Sequence, residues 1–127
     1  MELKDVPFSF FLLLAATLNF GYFTGDIDDP NVHSISFLFA AVVANLIATV
    51  LKARDRSHVG ATQLATSLVA SLHLIAAATV WAYATDFGSR ILSQHMTATV
   101  VSLAGGALLA NIVSIVLLTY SFMPPRR

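Results

Sequence analysis

The chain has 127 residues, 57% hydrophobic and 11% charged, with seven basic and seven acidic side chains and no net formal charge. A soluble domain carries about 25% charged residues, so this chain has too little charge to coat a water-facing surface, and its mean hydropathy of +0.77 agrees. Cysteine is absent, which excludes disulfides, thiolate metal sites and the quinone-linked or epoxide-reductase-like four-helix proteins that work through cysteine pairs.

The first apolar stretch covers 7–24. It follows a lysine, as a signal peptide does, but acidic residues rather than a small-x-small cleavage site come after it, so a retained helix is expected. Its length is near the minimum for crossing about 30 Å of hydrocarbon. The loop that follows is acidic, with Asp26, Asp28 and Asp29 between Gly25 and Pro30. Three carboxylates in one turn are a candidate cation site, although the spacing lacks a full calcium-loop pattern and a solvated turn is the simpler reading. Ser34 and these acids are also candidate caps for the next helix.

A second stretch covers 33–51 and ends in a basic loop holding Lys52, Arg54 and Arg56. The third and fourth stretches, 59–85 and 96–123, are longer than a bilayer needs and should tilt or protrude. Between them Gly88 lies in a loop that is close to neutral, and Pro124 and Pro125 stop the last helix before Arg126 and Arg127. Basic loops stay in the cytoplasm. The charge pattern therefore predicts both termini inside and the loops near Asp26 and Asp86 outside. Trp81, Tyr83, Tyr22 and Phe23 then fall near the outer interface, with Tyr120 and Phe122 near the inner one. The expected fold is all-α: an integral membrane four-helix bundle forming one transmembrane domain over 1–127.

The two halves resemble each other. Leu12, Ala15, Ala16 and Thr17 align with Leu74, Ala77, Ala78 and Thr79, and His33 with His95, at an offset of 62. Ala44 and Asn45 align with Ala110 and Asn111 at an offset of 66. The slip of about one helical turn would fall near Gly105 and Gly106 and keep the same helix face. The pattern suggests a duplicated hairpin, 8–51 and 70–117, with the copies related by a pseudo-two-fold axis along the membrane normal. Small residues recur every four positions at Ala40, Ala44 and Ala48, and again at Gly106, Ala110 and Ser114. Such stripes let membrane helices approach closely, so the second and fourth helices should pack through them, on each other or on another subunit.

No Asp, Glu, Lys or Arg lies in the middle of a span. That disfavours proton-coupled transport and voltage sensing, which need intramembrane charge. Asn19, Asn45 and Asn111 are expected to hydrogen-bond between helices for about 0.6 to 2 kcal/mol each, or else to line a polar path. Thr17, Thr79, Thr66, Ser67, Ser71 and Ser114 can satisfy their hydroxyls on the preceding turn. His73 reads as a hydrogen-bonded core residue. His33 and His95 lie at matching helix starts; two neutral imidazoles there could ligate haem iron or another metal, against the plainer reading of two interfacial residues.

The run Leu-Asn-Phe-Gly-Tyr-Phe-Thr-Gly-Asp at 18–26 and the Ala44–Asn45 pair give the chain a resemblance to the small uncharacterised four-helix membrane proteins of bacterial inner membranes. The resemblance implies location and architecture and brings no activity with it. With no nucleophile–base pair in view, the expected function is non-enzymatic, without a cofactor. The leading reading is an accessory or assembly subunit of a channel, transporter or respiratory complex, or a homo-oligomer. A channel or facilitator for a small ion or solute is second, and a haem-binding redox subunit third. The expected partners are the lipid bilayer and another membrane protein or a second copy, with no nucleic acid.

Overall fold

The computed structural model describes residues 5–26, 28–55 and 57–121. Glu2, Lys4, Arg56, Phe122, Pro124, Pro125, Arg126 and Arg127, which enter the charge and aromatic pattern above, lie outside them. Four helices form: α1 (Val6–Phe23), α2 (Ile35–Lys52), α3 (His58–Ala84) and α4 (Gln94–Ser121). Each is long and apolar enough to cross a bilayer. At 1.5 Å per residue, α1 and α2 span about 27 Å and α3 and α4 about 40 Å.

The helix ends follow local chemistry. Pro7 sits in the first turn of α1, where a missing N–H costs nothing. That helix stops as Thr24 turns extended and Gly25 enters the left-handed region at φ 99°. A short 3-10 turn, Pro30–Val32, follows, and the Asp29 side chain caps it by accepting from the Asn31 N–H at 2.9 Å. The second helix starts at Ile35 rather than at His33, because this turn and the extended His33 backbone occupy the approach. Ser34 stands before it without a side-chain cap, contrary to the sequence expectation; its backbone carbonyl takes the Phe37 N–H instead, at 3.1 Å. Ser57 caps α3 by accepting from the Gly60 N–H at 3.0 Å, and Ser93 serves α4 by accepting from the Met96 N–H at 3.2 Å.

Short loops make sequential helices antiparallel neighbours, and α4 returns to pack against α1. The diagonals are therefore α1 with α3 and α2 with α4. One end of the bundle holds the start of α1 and the 53–57 loop; the other, the hairpin end, holds the 24–34 and 85–93 loops. Large apolar side chains such as Phe10, Val50, Leu72, Leu109 and Val116 point out of the bundle, where a bilayer solvates them. The interior is built largely from alanine and valine: Ala41, Ala70, Ala77, Val100, Val101, Ala104 and Ala107 are fully buried around Leu38 and Leu74. Small side chains bring the backbones close, as membrane helix packing requires. Phe8, Leu12, Ala48 and Leu118 form a second cluster toward the other end.

Candidate functional site

Asn45 and Asn111 are buried to 1% and 0% exposure, and the Asn111 side-chain amide donates to the Asn45 side-chain oxygen at 2.9 Å. They come from the diagonal helices α2 and α4, so their side chains reach across the middle of the bundle. The duplicated pattern pairs these same two positions. Below them, toward the 53–57 loop, α3 contributes Gln63, Ser67 and Ser71 at four-residue spacing, all buried. Thr49 and Ser71 hydroxyls lie 3.2 Å apart, and Thr66 hydrogen-bonds Ser114. Asn45 Nδ2, Asn111 Oδ1, Gln63 Nε2 and Ser67 Oγ remain without a protein partner. The interior is thus polar toward one end and closed by Leu38, Leu74, Val100 and Val101 toward the other.

Of this layer, Thr66, Ser67, Ser71 and Ser114 are expected from the sequence to be satisfied along their own helices. Thr49 and Thr66 do bond backwards, to Asn45 O and Gln63 O, yet both also reach a second helix, and Ser67 bonds to neither. Gln63 had drawn no notice in the sequence. The signal that could have found it is the Gln63, Ser67, Ser71 spacing, which puts three polar side chains on one helix face.

Asn19 is fully buried at the α1–α4 contact. Its amide nitrogen donates to Ala104 O and its oxygen accepts from the Leu108 N–H, both at 3.0 Å. In an uninterrupted helix those two backbone groups pair with each other, so α1 clips onto α4 at the Gly105–Gly106 step. A Cβ on Gly105 would stand 2.8 Å from the Phe23 ring of α1, and one on Gly106 would stand 2.6 Å from the His73 ring of α3. The paired glycines give both neighbours their room.

The small-residue stripes face adjacent helices. Gly106 and Ser114 lie against His73 and Thr66 of α3, while Ala48 packs with Phe8 and Leu12 of α1. Ala44 and Ala110 are buried and Ala40 is half-buried. Because α2 and α4 stand on a diagonal, the stripes do not zip together; the asparagines bridge that gap.

The three candidate histidines, His33, His73 and His95, go to different places. His33 is buried at the hairpin end, with Nδ1 on the Tyr22 carbonyl and Nε2 on the Asp26 carbonyl at 2.7 Å. Both ring nitrogens thus face backbone oxygens, each of which accepts only from a nitrogen that carries a proton. His95 is exposed on the first turn of α4 and borders a different recess. The structure therefore does not assemble His33 and His95 as a ligand pair. Asp29 is engaged as a cap and Asp26 meets His33 only through its backbone, and the described residues hold no cluster of three or more His, Asp or Glu suited to a metal.

His73 lies partway along α3, where Nδ1 donates to the Val69 carbonyl at 2.9 Å. Its other nitrogen faces a groove of about 450 Å³ on the outside of the α3–α4 hairpin, bordered by His95, Thr99, Ser102 and Gly106. In a bilayer this groove would open onto hydrocarbon.

No curated protein and no solved structure matches the chain. A family model does, over residues 32–121, so that α2, α3, α4 and the Ala44–Asn45 pair fall inside the match while the run at 18–26 precedes it. On that match the chain belongs to the family of unknown function DUF6394.

Proposed function

We propose that this protein is a non-enzymatic accessory or assembly subunit that docks another membrane-spanning chain against the outer face of its α3–α4 hairpin. The observation behind the reading is the pair of unpartnered polar groups in this groove. Thr99 bonds back to the His95 carbonyl and His73 Nδ1 to that of Val69, but His73 Nε2 and the exposed Ser102 hydroxyl have no partner among the described residues. Lipid offers them none, whereas a partner helix does, and unsatisfied polar groups in hydrocarbon are costly. The short extramembrane loops leave little else to bind with. We further place the protein in the bacterial inner membrane with both termini cytoplasmic. The basic Lys52 and Arg54 beside the 53–57 loop and the acidic Asp26, Asp28 and Asp29 at the opposite end support that orientation.

The chain has no cysteine, so one introduced thiol reports on one place. Ser102→Cys in the groove, labelled with a maleimide–benzophenone and irradiated in native membranes, should convert the 13.6 kDa chain into a larger conjugate. Val43→Cys, exposed on α2, should not. If neither conjugates, or both do equally, the docking reading fails.

The buried layer of Asn45, Asn111, Gln63 and Ser67 favours one second reading, an oligomeric channel or facilitator for a small ion or solute. The apolar closure at Leu38, Leu74 and Val100 weighs against a path through a single bundle. Flux into proteoliposomes that Asn45→Leu abolishes would support that reading; no flux above lipid alone would dismiss it.

A further inference from the structure

We propose that the hairpin end carries a binding site for the phosphodiester headgroup of a membrane lipid, formed by Arg90 and Tyr22, with an acyl chain lying along the neighbouring groove between α2 and α3. The site is separate from the docking groove on α3–α4.

The headgroup part is a recess of about 250 Å³ where the two hairpins meet. Tyr22, Asn31 and His33 border it from the first hairpin, and Trp81, Arg90 and Thr97 from the second. Tyr22 is 1% exposed, and its hydroxyl has no partner among the described residues. A buried phenol usually finds one, so this hydroxyl is a donor awaiting an acceptor. The Arg90 guanidinium likewise has no ion-pair partner among the described residues. A guanidinium and a phenol O–H bordering one recess suit a phosphate oxygen. His33 offers a ligand no free N–H, since both its nitrogens are already on carbonyls.

Depth identifies the source of the phosphate. Tyr22 lies one residue before the end of α1 and Thr97 three residues after the start of α4, which is where a bilayer gives way to headgroups. Trp81 borders the recess and also a second groove of about 520 Å³, lined by Phe39, Val42, Ile75 and Ala78. A recess bordered by polar side chains that shares Trp81 with an apolar groove fits a molecule with a phosphate at one end and a hydrocarbon chain at the other. Charge narrows the class further. Asp26, Asp28 and Asp29 on the first loop and Asp86 on the second stand near the rim in sequence, although none borders the recess. Their field opposes an anion in proportion to its charge, so it disfavours a dianionic monoester more than a singly charged diester.

The test is native mass spectrometry of the full chain released from nanodiscs of phosphatidylethanolamine, phosphatidylglycerol and diacylglycerol. Wild-type protein should retain one phospholipid and no diacylglycerol. Arg90→Gln and Tyr22→Phe, the second keeping the buried ring, should each lower retention about ten-fold, while Arg54→Gln in the opposite loop leaves it unchanged. Inorganic phosphate and glycerol phosphate at millimolar concentration should not displace the lipid. Displacement would assign the site to a soluble phosphate and overturn the lipid proposal. Equal retention of diacylglycerol, or wild-type retention by both Arg90→Gln and Tyr22→Phe, would overturn phosphate recognition altogether. Helical circular dichroism of each variant separates loss of the site from loss of the fold.

Discussion

Asn111 donates a hydrogen bond to Asn45 across the bundle's diagonal, joining two helices that pack mainly on their neighbours rather than on each other. The bond leaves one amide hydrogen-bonding group of each residue without a partner. Removing either side chain strands the other in a buried interior, and that costs more than the bond itself contributes.

A double-mutant cycle measures this. Asn45→Leu and Asn111→Leu should each destabilise the bundle by about 1 to 3 kcal/mol. The double variant should lose less than the sum, with a coupling of about 0.6 to 2 kcal/mol. Unfolding by a denaturing detergent in mixed micelles gives the four energies. Additive losses would mean that the two amides do not act together.

The glycine step on α4 predicts a different non-additivity. Gly106→Ala places a methyl 2.6 Å from the His73 ring, so it should destabilise by about 1 to 3 kcal/mol despite alanine's better helix propensity. His73→Ala should cancel most of that loss, because the obstruction is the far end of one side chain. Gly105→Ala, which meets Phe23 of α1 at 2.8 Å, should gain nothing from His73→Ala. If His73→Ala rescues both or neither, the contact assignment is wrong.

His33 should behave as a clasp and not as a ligand. It ties the Tyr22 and Asp26 carbonyls at the end of α1 to the start of α2. His33→Ala should cost about 1 to 3 kcal/mol and raise hydrogen exchange in the 24–34 loop. His95→Ala, on an exposed first turn, should cost under about 0.5 kcal/mol. Equal losses at the two positions would contradict the asymmetry the fold imposes on them.

That asymmetry shows where sequence reading stops. The four charge-free stretches mark the helices to within about two residues, because a bilayer leaves an apolar chain few alternatives to helix. The Asn45 and Asn111 relationship was visible as matched positions, though not as a contact. The role of His33 was not visible, since its partners are backbone carbonyls, which carry no residue identity. Gln63 was hidden by its ordinary composition, and Ser67 read as satisfied on its own helix; the face they share with Ser71 reveals both. The recess at Arg90 and Tyr22 was invisible for another reason. It joins residues 68 positions apart on loops and helix ends whose meeting depends on how two hairpins dock.

The turn between α2 and α3 makes the pH prediction. Asp55 accepts from the Ser57 N–H at 2.9 Å and from Lys52 at 3.2 Å, and Lys52 lies 4.2 Å from the centre of the Phe8 ring. The Ser57 hydrogen bonds, with the Lys52 charge behind them, hold the Asp55 carboxyl below the usual carboxylate range. A group lowered in the folded state stabilises the protein above its unfolded pKa, and that contribution fades as pH falls through the folded value. Wild type should therefore melt above Asp55→Asn at pH 7, and the gap should close below about pH 4. The difference will be small, because Lys52 and Asp55 meet close to solvent. Gly60→Ala should lower the melting temperature at both pH values, since its methyl would overlap the Asp55 carboxyl group whether or not that group is charged. A gap for Asp55→Asn that persists unchanged at pH 3 would show that Asp55 acts through shape and not through charge.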